Sequence, residues 1–414
     1  MIPATQSATQ KAHIRPVHPF PARMAPSIVW DALPESGDTL TILDPMSGSG
    51  TTPVLARSKG HHAIGCDTDP LALLIARTWC NNVKPDRLFL RAKAVLARAM
   101  ELREKTPSEK SYPKNADDET RRFMDFWFDP RNRRELNALA ICISWVRSQT
   151  ERTLLWCAFS RMIITKTAGV SLAMDVSHSR PHKVYDAAPV RPFDAFLKAV
   201  SKVVNNCPFS TDTHNTPAAD IRHGDARTLP LDSNSVDRII TSPPYLNAID
   251  YLRGHKLSLV WMGHNISELR ALRSGNIGTE RSTNIASEKA VREAMKSMGD
   301  LTVLDKRQSG IVRRYVNDME KVMKECARVL KPGGEAVFVV GDSSIRGVFV
   351  QNSKALIRLA HSQGMSLVSR NTRPIEIKRR YLPAPEYEKS GCSLRTRMRE
   401  EVILRFRIHK TGAQ

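Results

Sequence analysis

The sequence predicts a protein of the α/β class, and three segments carry this prediction. Residues 39–67 have the pattern of a strand, a glycine-rich turn, a helix and a second strand, which is a βαβ unit. Residues 236–245 have the pattern of a buried strand that ends at two consecutive prolines. Residues 329–342 combine a turn containing two glycines with a further buried strand. Strands that alternate with helices in this way usually form a parallel sheet.

The turn of the first unit, residues 44–52, is rich in glycine, which lets a ligand approach the backbone closely. It lacks the lysine of a Walker phosphate loop after Gly50, and Pro53 stands where the dinucleotide fingerprint has its third glycine. Asp44, at its start, suits a cationic ligand better than a pyrophosphate. S-adenosylmethionine carries a sulfonium and an α-amino group, and Asp67 is spaced to bind its ribose hydroxyls. The alternative is an incidental glycine-rich turn.

The strand that ends near residue 241 continues into Ser-Pro-Pro-Tyr, residues 242–245. Two consecutive prolines fix φ and remove two backbone donors, so the chain leaves the strand in one stiff turn. The turn holds a hydroxyl, carbonyl oxygens and an aromatic face close together. These groups suit a flat ring with an exocyclic amine, because two acceptors bind its N–H groups while Tyr245 stacks on the ring. An ordinary proline-rich strand exit is the alternative interpretation.

Together these motifs resemble those of the DNA amino-methyltransferases, which transfer a methyl group from S-adenosylmethionine to N4 of cytosine or N6 of adenine. The resemblance covers most of the chain. Residues 18–24 are similar to the family's N-terminal cofactor motif, residues 224–226 to the motif that contacts the cofactor's adenine, and residues 329–342 to its fifth strand. The resemblance implies a three-layer, Rossmann-like class I methyltransferase fold with a seven-stranded, mostly parallel sheet and a helical insertion.

The resemblance also implies roles for individual residues. We expect S-adenosyl-L-methionine to be held by residues of four motifs, namely Phe20, Asp44, Pro45, Ser47, Gly48, Gly50, Thr51, Asp67 and Asp225. We expect the target amine to be held and activated by the strand-end motif, namely Ser242, Pro243, Pro244 and Tyr245. Two acceptors on the amine hydrogens would turn its lone pair towards the sulfonium, and much of the rate gain would come from orientation. Because the methylated nitrogen loses its proton readily, no histidine is assigned a catalytic proton role.

The first residue of the strand-end motif bears on the target base. Within the family, serine there is associated with cytosine N4 and Asp or Asn with adenine N6, so Ser242 favours cytosine N4 over the alternative of adenine N6. Methylation at C5 of cytosine needs a cysteine that, in that family, follows a proline, and none of the seven cysteines does so. An RNA or protein amino-methyltransferase and a catalytically silent DNA-binding protein are the remaining alternatives.

The formal net charge of +21 suits a polyanionic partner. With DNA as that partner, a base inside a duplex would have to flip out to reach the predicted pocket. Basic residues cluster at 378–381 and 395–399. Without a long apolar run, a signal peptide or a Cys/His ligand cluster, the chain is predicted to be a reduced, cytoplasmic protein with no membrane or metal partner. The resemblance leaves open a cognate restriction endonuclease, as in a restriction–modification system.

The motif positions divide the chain into three segments. Residues 1–80 form the cofactor-binding half, residues 81–218 a mainly helical insertion, and residues 219–414 the catalytic half. Within the insertion, residues 175–183 are too polar and punctuated for a core element. The stretch 274–309 lacks a clear apolar stripe and is predicted to be an irregular loop. The insertion is interpreted either as a target-recognition element for DNA or as a helical cap on the cofactor site.

Overall fold

The structure is a computed structural model that describes residues 14–21, 23–35, 37–209, 217–246, 250–278, 288–345, 347–375 and 400–409. The basic clusters predicted from the sequence at 378–381 and 395–399 lie outside the described residues. The described strands, in chain order, are β1 (Thr41–Asp44), β2 (His62–Asp67), β3 (Ala173–Met174), β4 (His182–Lys183), β5 (Asp220–His223), β6 (Val236–Thr241), β7 (Leu330–Val340), β8 (Ser343–Ile345), β9 (Val348–Val350), β10 (Met365–Pro374) and β11 (Glu400–Ile408).

Helices alternate with these strands along much of the chain. In chain order they are α1 (Pro26–Ala32), α2 (Thr51–Ser58), α3 (Pro70–Cys80), α4 (Pro85–Lys105), α5 (Asp118–Trp127), α6 (Pro130–Ser144), α7 (Gln149–Ile163), α8 (Pro192–Asn206), α9 (Leu252–Leu259), α10 (Ile266–Ser274), α11 (Glu288–Ser297), α12 (Lys306–Val329) and α13 (Asn352–Ser362). Several of these helices begin at residues that form recognisable N-terminal capping patterns. Asp69 accepts a hydrogen bond from Leu71 N and precedes Pro70 at the start of α3, and Asp305 forms a capping box with Gln308 at the start of α12.

The predicted seven-stranded, mostly parallel sheet is present, in the order β10-β11-β7-β6-β1-β2-β5. The pairs β5–β2, β2–β1, β1–β6 and β6–β7 are parallel, whereas β11 is antiparallel to both β7 and β10. Neighbouring parallel strands end at the same edge of a sheet. The carboxyl ends of β1, β2 and β6, which carry the predicted site motifs, therefore lie side by side.

Alternating side chains of the strands supply two hydrophobic cores, one on each face of the sheet. In β1, Ile42 belongs to the core shared with α1–α10, and Leu43 belongs to the core shared with α11–α13. In β7, Val337 and Val339 belong to the first core, whereas Phe338 belongs to the second. The molecule thus has three layers. The helices between α3 and β5 pack in the first core, on the same face of the sheet as α1–α3.

Three expectations from the sequence need correction. The stretch 274–309, predicted to be irregular, contains α11, and α12 begins within it. The apolar stripe of α11 is narrow but regular, with Val291, Ala294 and Met295 at helical spacing and Met298 just after the helix, and it packs on the second core. The stretch 175–183, judged too polar for the core, includes buried positions, namely Val176, Ser177 and Ser179. The turn expected at 331–334 lies inside β7, where the pairing with β6 slips between Leu330 and Glu335.

Candidate active site

The cofactor loop and the strand-end motif meet through a hydrogen bond between buried side chains. Thr241, the last residue of β6, donates its hydroxyl proton to Asp44 Oδ1 across 2.7 Å, although the two residues are 197 positions apart. A second hydroxyl, that of Thr52 in α2, donates to the carbonyl of Ile240 across 3.1 Å. The start of the glycine loop is thereby fixed against the strand that leads to Ser242.

The glycine loop needs its glycines for both conformation and space. Gly48 has φ +49°, and its amide donates to Asp67 Oδ2 across 2.8 Å. Gly50 has φ +90°, and a Cβ atom there would lie 2.8 Å from Ala76 Cβ. A side chain at Gly50 would therefore be disfavoured by its backbone conformation and would also collide with α3.

Two carboxyl groups end the neighbouring strands β1 and β2, the buried Asp44 and the half-buried Asp67. Burial raises the pKa of Asp44 to about 6, although the hydrogen bonds from Thr241 and Met46 N oppose this shift. Burial, followed by the nearby Asp69 carboxylate, raises the pKa of Asp67 to about 6 as well. A ligand that brings positive charge or hydroxyl donors would relieve both costs, because each favours the ionised carboxylate.

The loop also contains polar atoms whose hydrogen-bonding capacity is unused. Ser47 Oγ and Ser49 Oγ are buried and have no hydrogen-bond partner among the described residues. Beside them the Phe20 ring lies 3.4 Å from the position of a Cβ atom on Gly48. Unpaired hydroxyls, carboxyl groups of raised pKa and an aromatic ring fit a ligand with a cation, hydroxyls and a flat base, which are the features of S-adenosyl-L-methionine. Pro45 and Thr51, two further residues of the predicted set, are also buried in this loop.

The strand-end motif begins with a serine whose single proton has an acceptor. Ser242 Oγ lies 3.0 Å from the carbonyl oxygen of Val339 on β7, and 3.5 Å from Tyr245 Oη. The shorter contact is the better hydrogen bond, so the proton points to Val339 and the oxygen lone pairs point elsewhere. Pro243 is buried, while Ser242, Pro244 and Tyr245 are half-buried.

Sequence comparison identifies two relatives that share most of their length with this chain. The chain is 24% identical over 382 residues to the type II methyltransferase M.MvaI of Kocuria varians, a match that covers 84% of this chain and 79% of that protein. It is 24% identical over 399 residues to the type II methyltransferase M.MjaII of Methanocaldococcus jannaschii, with 76% and 73% covered. The chain is a homologue of type II methyltransferases.

Two further comparisons add little to this homology. No model of a known protein family matches the sequence. A solved SAM-dependent methyltransferase from Methanosarcina mazei aligns with 94% of this chain and 100% of its own, at 9% identity and a TM-score of 0.33. That score is too low to carry structural or functional weight.

Asp225, another residue predicted to bind the cofactor, already forms hydrogen bonds through both of its carboxylate oxygens. Both of its carboxylate oxygens accept from Arg227, with Nη2 2.6 Å from Oδ2 and Nε 3.0 Å from Oδ1. Burial opposes the ionisation of Asp225, but the hydrogen bonds from Arg227 outweigh it and lower the pKa of the carboxyl group. If Asp225 contacts the adenine of the cofactor, it must do so through the lone pairs that Arg227 leaves free. The role of Asp225 in cofactor binding stays a prediction.

A histidine–aspartate pair beside Phe20 was not predicted from the sequence. His255 is buried, its Nδ1 lies 2.5 Å from Asp69 Oδ2, and its ring centroid lies 5.3 Å from that of Phe20. Tyr251 is the third aromatic residue of this group, and its ring centroid lies 5.7 Å from that of Phe20. The sequence does indicate a structural role for Asp69, because an Asp before a Pro is a helix N-cap pattern. His255, in contrast, had no sequence feature that identified its partner.

The other histidine near the N-terminal motif has a structural explanation. His18 Nδ1 lies 3.0 Å from the carbonyl of Pro19, and Nε2 lies 3.0 Å from Ser160 Oγ. Burial, followed by the nearby charge of Arg161, lowers the pKa of His18 to about 3. The neutral imidazole therefore donates from Nδ1 and accepts from Ser160, which ties residues 18–20 to α7.

The described ranges contain neither a candidate metal site nor a candidate membrane span. No group of three or more His, Cys, Asp or Glu side chains is arranged there to hold a metal ion. None of the described helices is both long and apolar enough to cross a membrane.

Proposed function

We propose that the chain transfers a methyl group from S-adenosyl-L-methionine to the exocyclic N4 of cytosine in DNA. Methylation of DNA with this cofactor is the activity that its type II methyltransferase homologues support. The choice of cytosine N4 rests on Ser242. The hydrogen bond from Ser242 Oγ to the Val339 carbonyl, at 3.0 Å, is the observation that carries the proposed role of this residue.

That hydrogen bond fixes what Ser242 can offer a substrate. A hydroxyl has one proton and two acceptor lone pairs, and the proton of Ser242 is directed at Val339. The oxygen is left to accept a hydrogen bond from an amine. Pro243 has no N–H, and its carbonyl oxygen would be the second acceptor. Two acceptors on one amino group would hold it in the orientation that attack requires.

The cofactor would be held by residues of the glycine loop and its neighbours. Asp44 would face the positive charge of the methionine part, Asp67 would accept from the ribose hydroxyls, and Phe20 would pack on the ligand. When bound, S-adenosyl-L-methionine supplies a methyl group on a sulfonium centre, which is a good leaving group. No covalent bond to the protein is then needed.

Tyr245 has the properties of a stacking residue and lacks those of a base. Burial raises the pKa of its phenol above the usual range, so the ring stays neutral at physiological pH. Its Oη lies 3.5 Å from both Ser242 Oγ and Glu401 Oε1, contacts at the outer limit for a hydrogen bond. The ring face is therefore its main contribution, through stacking on the flipped base.

The remaining parts of the proposal follow from the chemistry of the substrate. A base in duplex DNA would flip into the site, since the amine cannot reach Ser242 inside the helix. The division at residues 80 and 218, with a recognition role for the insertion, is part of the same proposal. A cognate restriction endonuclease is an optional partner of such an enzyme, and the transfer reaction does not require it.

The test is to incubate the purified chain with labelled S-adenosyl-L-methionine and unmethylated genomic DNA, then to digest the DNA and separate the nucleosides by mass. We expect labelled N4-methylcytosine. N6-methyladenine would retain the mechanism and overturn the choice of base. Label in RNA or protein alone would overturn DNA as the substrate, and no label in any of them would favour a silent DNA-binding protein.

A further inference from the structure

A short hairpin of the insertion packs directly against the helix that follows the strand-end motif. The hairpin consists of β3, a tight turn over Val176–His178, and β4. Ser179 Oγ donates to the carbonyl of Tyr251 across 3.1 Å. A Cβ atom on Gly254 in α9 would lie 2.5 Å from the carbonyl oxygen of Val176, so only glycine allows this approach.

The hairpin therefore lies beside the candidate active site. Tyr251, which accepts the hydrogen bond from Ser179, is six residues beyond Tyr245 in the chain. Its ring also contacts Phe20, and Phe20 borders the glycine loop at Gly48. A continuous path of contacts thus joins the hairpin to both halves of the site.

The backbone of the hairpin turn is held in an unusual conformation. Asp175 and Ser179 have φ values of +57° and +55°, and they are two of the three non-glycine residues with positive φ in the described part of the chain. Such positions cost free energy and tend to occur where a loop must present a fixed surface. The Ser177 amide, which donates to the Thr165 carbonyl across 3.0 Å, anchors the turn to the end of α7.

The exposed side chains around this turn are mainly cationic. Arg180, His182 and Lys183 are exposed on the hairpin. Arg253 is exposed on the facing helix α9, with its Nε 3.5 Å from Asp250 Oδ2. Lys183 Nζ lies 5.3 Å from the ring centroid of Phe126, which is itself 52% exposed. A mainly cationic surface with an aromatic ring beside one of its lysines suits a nucleic-acid backbone.

We infer that Arg180, Lys183 and Arg253 form a phosphate-binding surface that holds the DNA strand flanking the flipped base. This inference rests on the proposed function, because it takes DNA as the substrate. It assigns the β3–β4 hairpin a role in positioning the duplex. Contacts with phosphates fix the register of a protein on DNA and do not by themselves discriminate sequence.

The test compares two triple variants that remove the same charge. The first is Arg180→Gln, Lys183→Gln and Arg253→Gln, and the matched control is Lys324→Gln, Lys354→Gln and Arg358→Gln on the opposite face of the sheet. Fluorescence anisotropy with a labelled duplex would give Kd as a function of salt concentration. For the hairpin variant, we expect the slope of log Kd against log salt to fall by about 0.9 for each phosphate that the variant no longer neutralises. The control should keep the wild-type slope.

Two further measurements separate this inference from its alternatives. The affinity for S-adenosyl-L-methionine should be unchanged in the hairpin variant, and Arg180→Lys, Lys183→Arg and Arg253→Lys together should restore the wild-type slope. Methylation of DNA by the wild type with equal slopes in the two Gln variants would overturn the inference and leave the function intact. If the wild type bound DNA without methylating it, the proposed function would be wrong. The salt slopes of the two Gln variants would still decide whether the hairpin binds phosphates. A wild-type chain that does not bind DNA would overturn both.

Discussion

The ends of β1 and β6 are neighbours in one sheet, yet they present opposite chemistry. Behind β1 lies the buried carboxyl group of Asp44, at the start of a loop that bends through glycines, and the half-buried Asp67 ends the neighbouring strand β2. Behind β6 lie a neutral hydroxyl and two prolines, without a carboxylate in the turn. The difference suits the two proposed reactants, because a carboxylate stabilises a cation, whereas a neutral acceptor can bind an amine without stabilising its protonated, non-nucleophilic form.

The two ends also reach rigidity by different means. The β1 end is fixed by close packing, since Gly50 has no space for a side chain against Ala76. The β6 end is fixed covalently by proline rings and by one hydrogen bond from Ser242 to the neighbouring strand. Thr241 joins the ends through its bond to Asp44. Substitutions at the β1 end should therefore affect cofactor binding and stability, and those at the β6 end should affect transfer.

The largest effect is expected from Ser242→Ala, which removes the proposed acceptor. The rate of methyl transfer should fall by about 10²- to 10³-fold, as when one preorganised hydrogen-bonding group is removed from an active site. The Kd for S-adenosyl-L-methionine should stay constant in equilibrium binding. Ser235→Ala is the matched control, because the Ser235 hydroxyl donates to the Asp232 carbonyl at the opposite end of β6. Equal rates for wild type and Ser242→Ala would rule out the assigned role.

The next largest effect is expected from Gly50→Ala, which tests the close packing at the β1 end. A left-handed backbone with a Cβ atom costs about 1–2 kcal/mol, and the overlap with Ala76 adds about 1–3 kcal/mol. We expect the free energy of unfolding to fall by about 3 kcal/mol, together with weaker cofactor binding. Gly60→Ala is the control, since Gly60 has φ +82° but no atom within 4 Å of its added Cβ. Equal reductions in chemical denaturation would show that packing against α3 contributes nothing.

A smaller effect is expected at Tyr245, where the ring and the hydroxyl can be separated. Tyr245→Ala removes stacking on the base, which is worth about 1–3 kcal/mol per base, so KM for DNA should rise at least several-fold. Tyr245→Phe keeps the ring and removes only a hydroxyl whose nearest partners are 3.5 Å away, so its kinetics should stay close to wild type. A Phe variant as impaired as the Ala variant would transfer the role from the ring to the hydroxyl.

The sequence predicted the parts of this site that are encoded locally. The glycine loop, the strand-end prolines and the acid after β2 each have a short pattern, and the sheet that aligns them follows from the strand order. The Val339 carbonyl that orients Ser242 could not be predicted, because any residue supplies a carbonyl. The His255–Asp69 pair joins residues 186 positions apart, and α11 was missed because its apolar stripe is narrow.

The last effect expected is a dependence of cofactor binding on pH. The free protein holds Asp44 and Asp67 with pKa values of about 6, against 3.8 for an ordinary Asp carboxyl. Between about pH 4 and 6 the folded chain thus binds more protons than the unfolded chain, so these groups make the free energy of unfolding fall as pH rises. A cationic ligand reverses the preference, because it favours the ionised carboxylates and must displace their protons.

The affinity for S-adenosyl-L-methionine should therefore decrease as pH falls from 7 to 5, by up to about tenfold for each pH unit and proton below the pKa. Isothermal titration calorimetry in two buffers would count the protons released on binding at pH 5. Asp44→Asn should bind more weakly at pH 7 and release fewer protons at pH 5. Asp342→Asn is the control, because Asp342 is engaged by Ser353 at the end of β7. A Kd that is constant from pH 7 to 5 would mean that neither carboxyl group senses the charge of the cofactor.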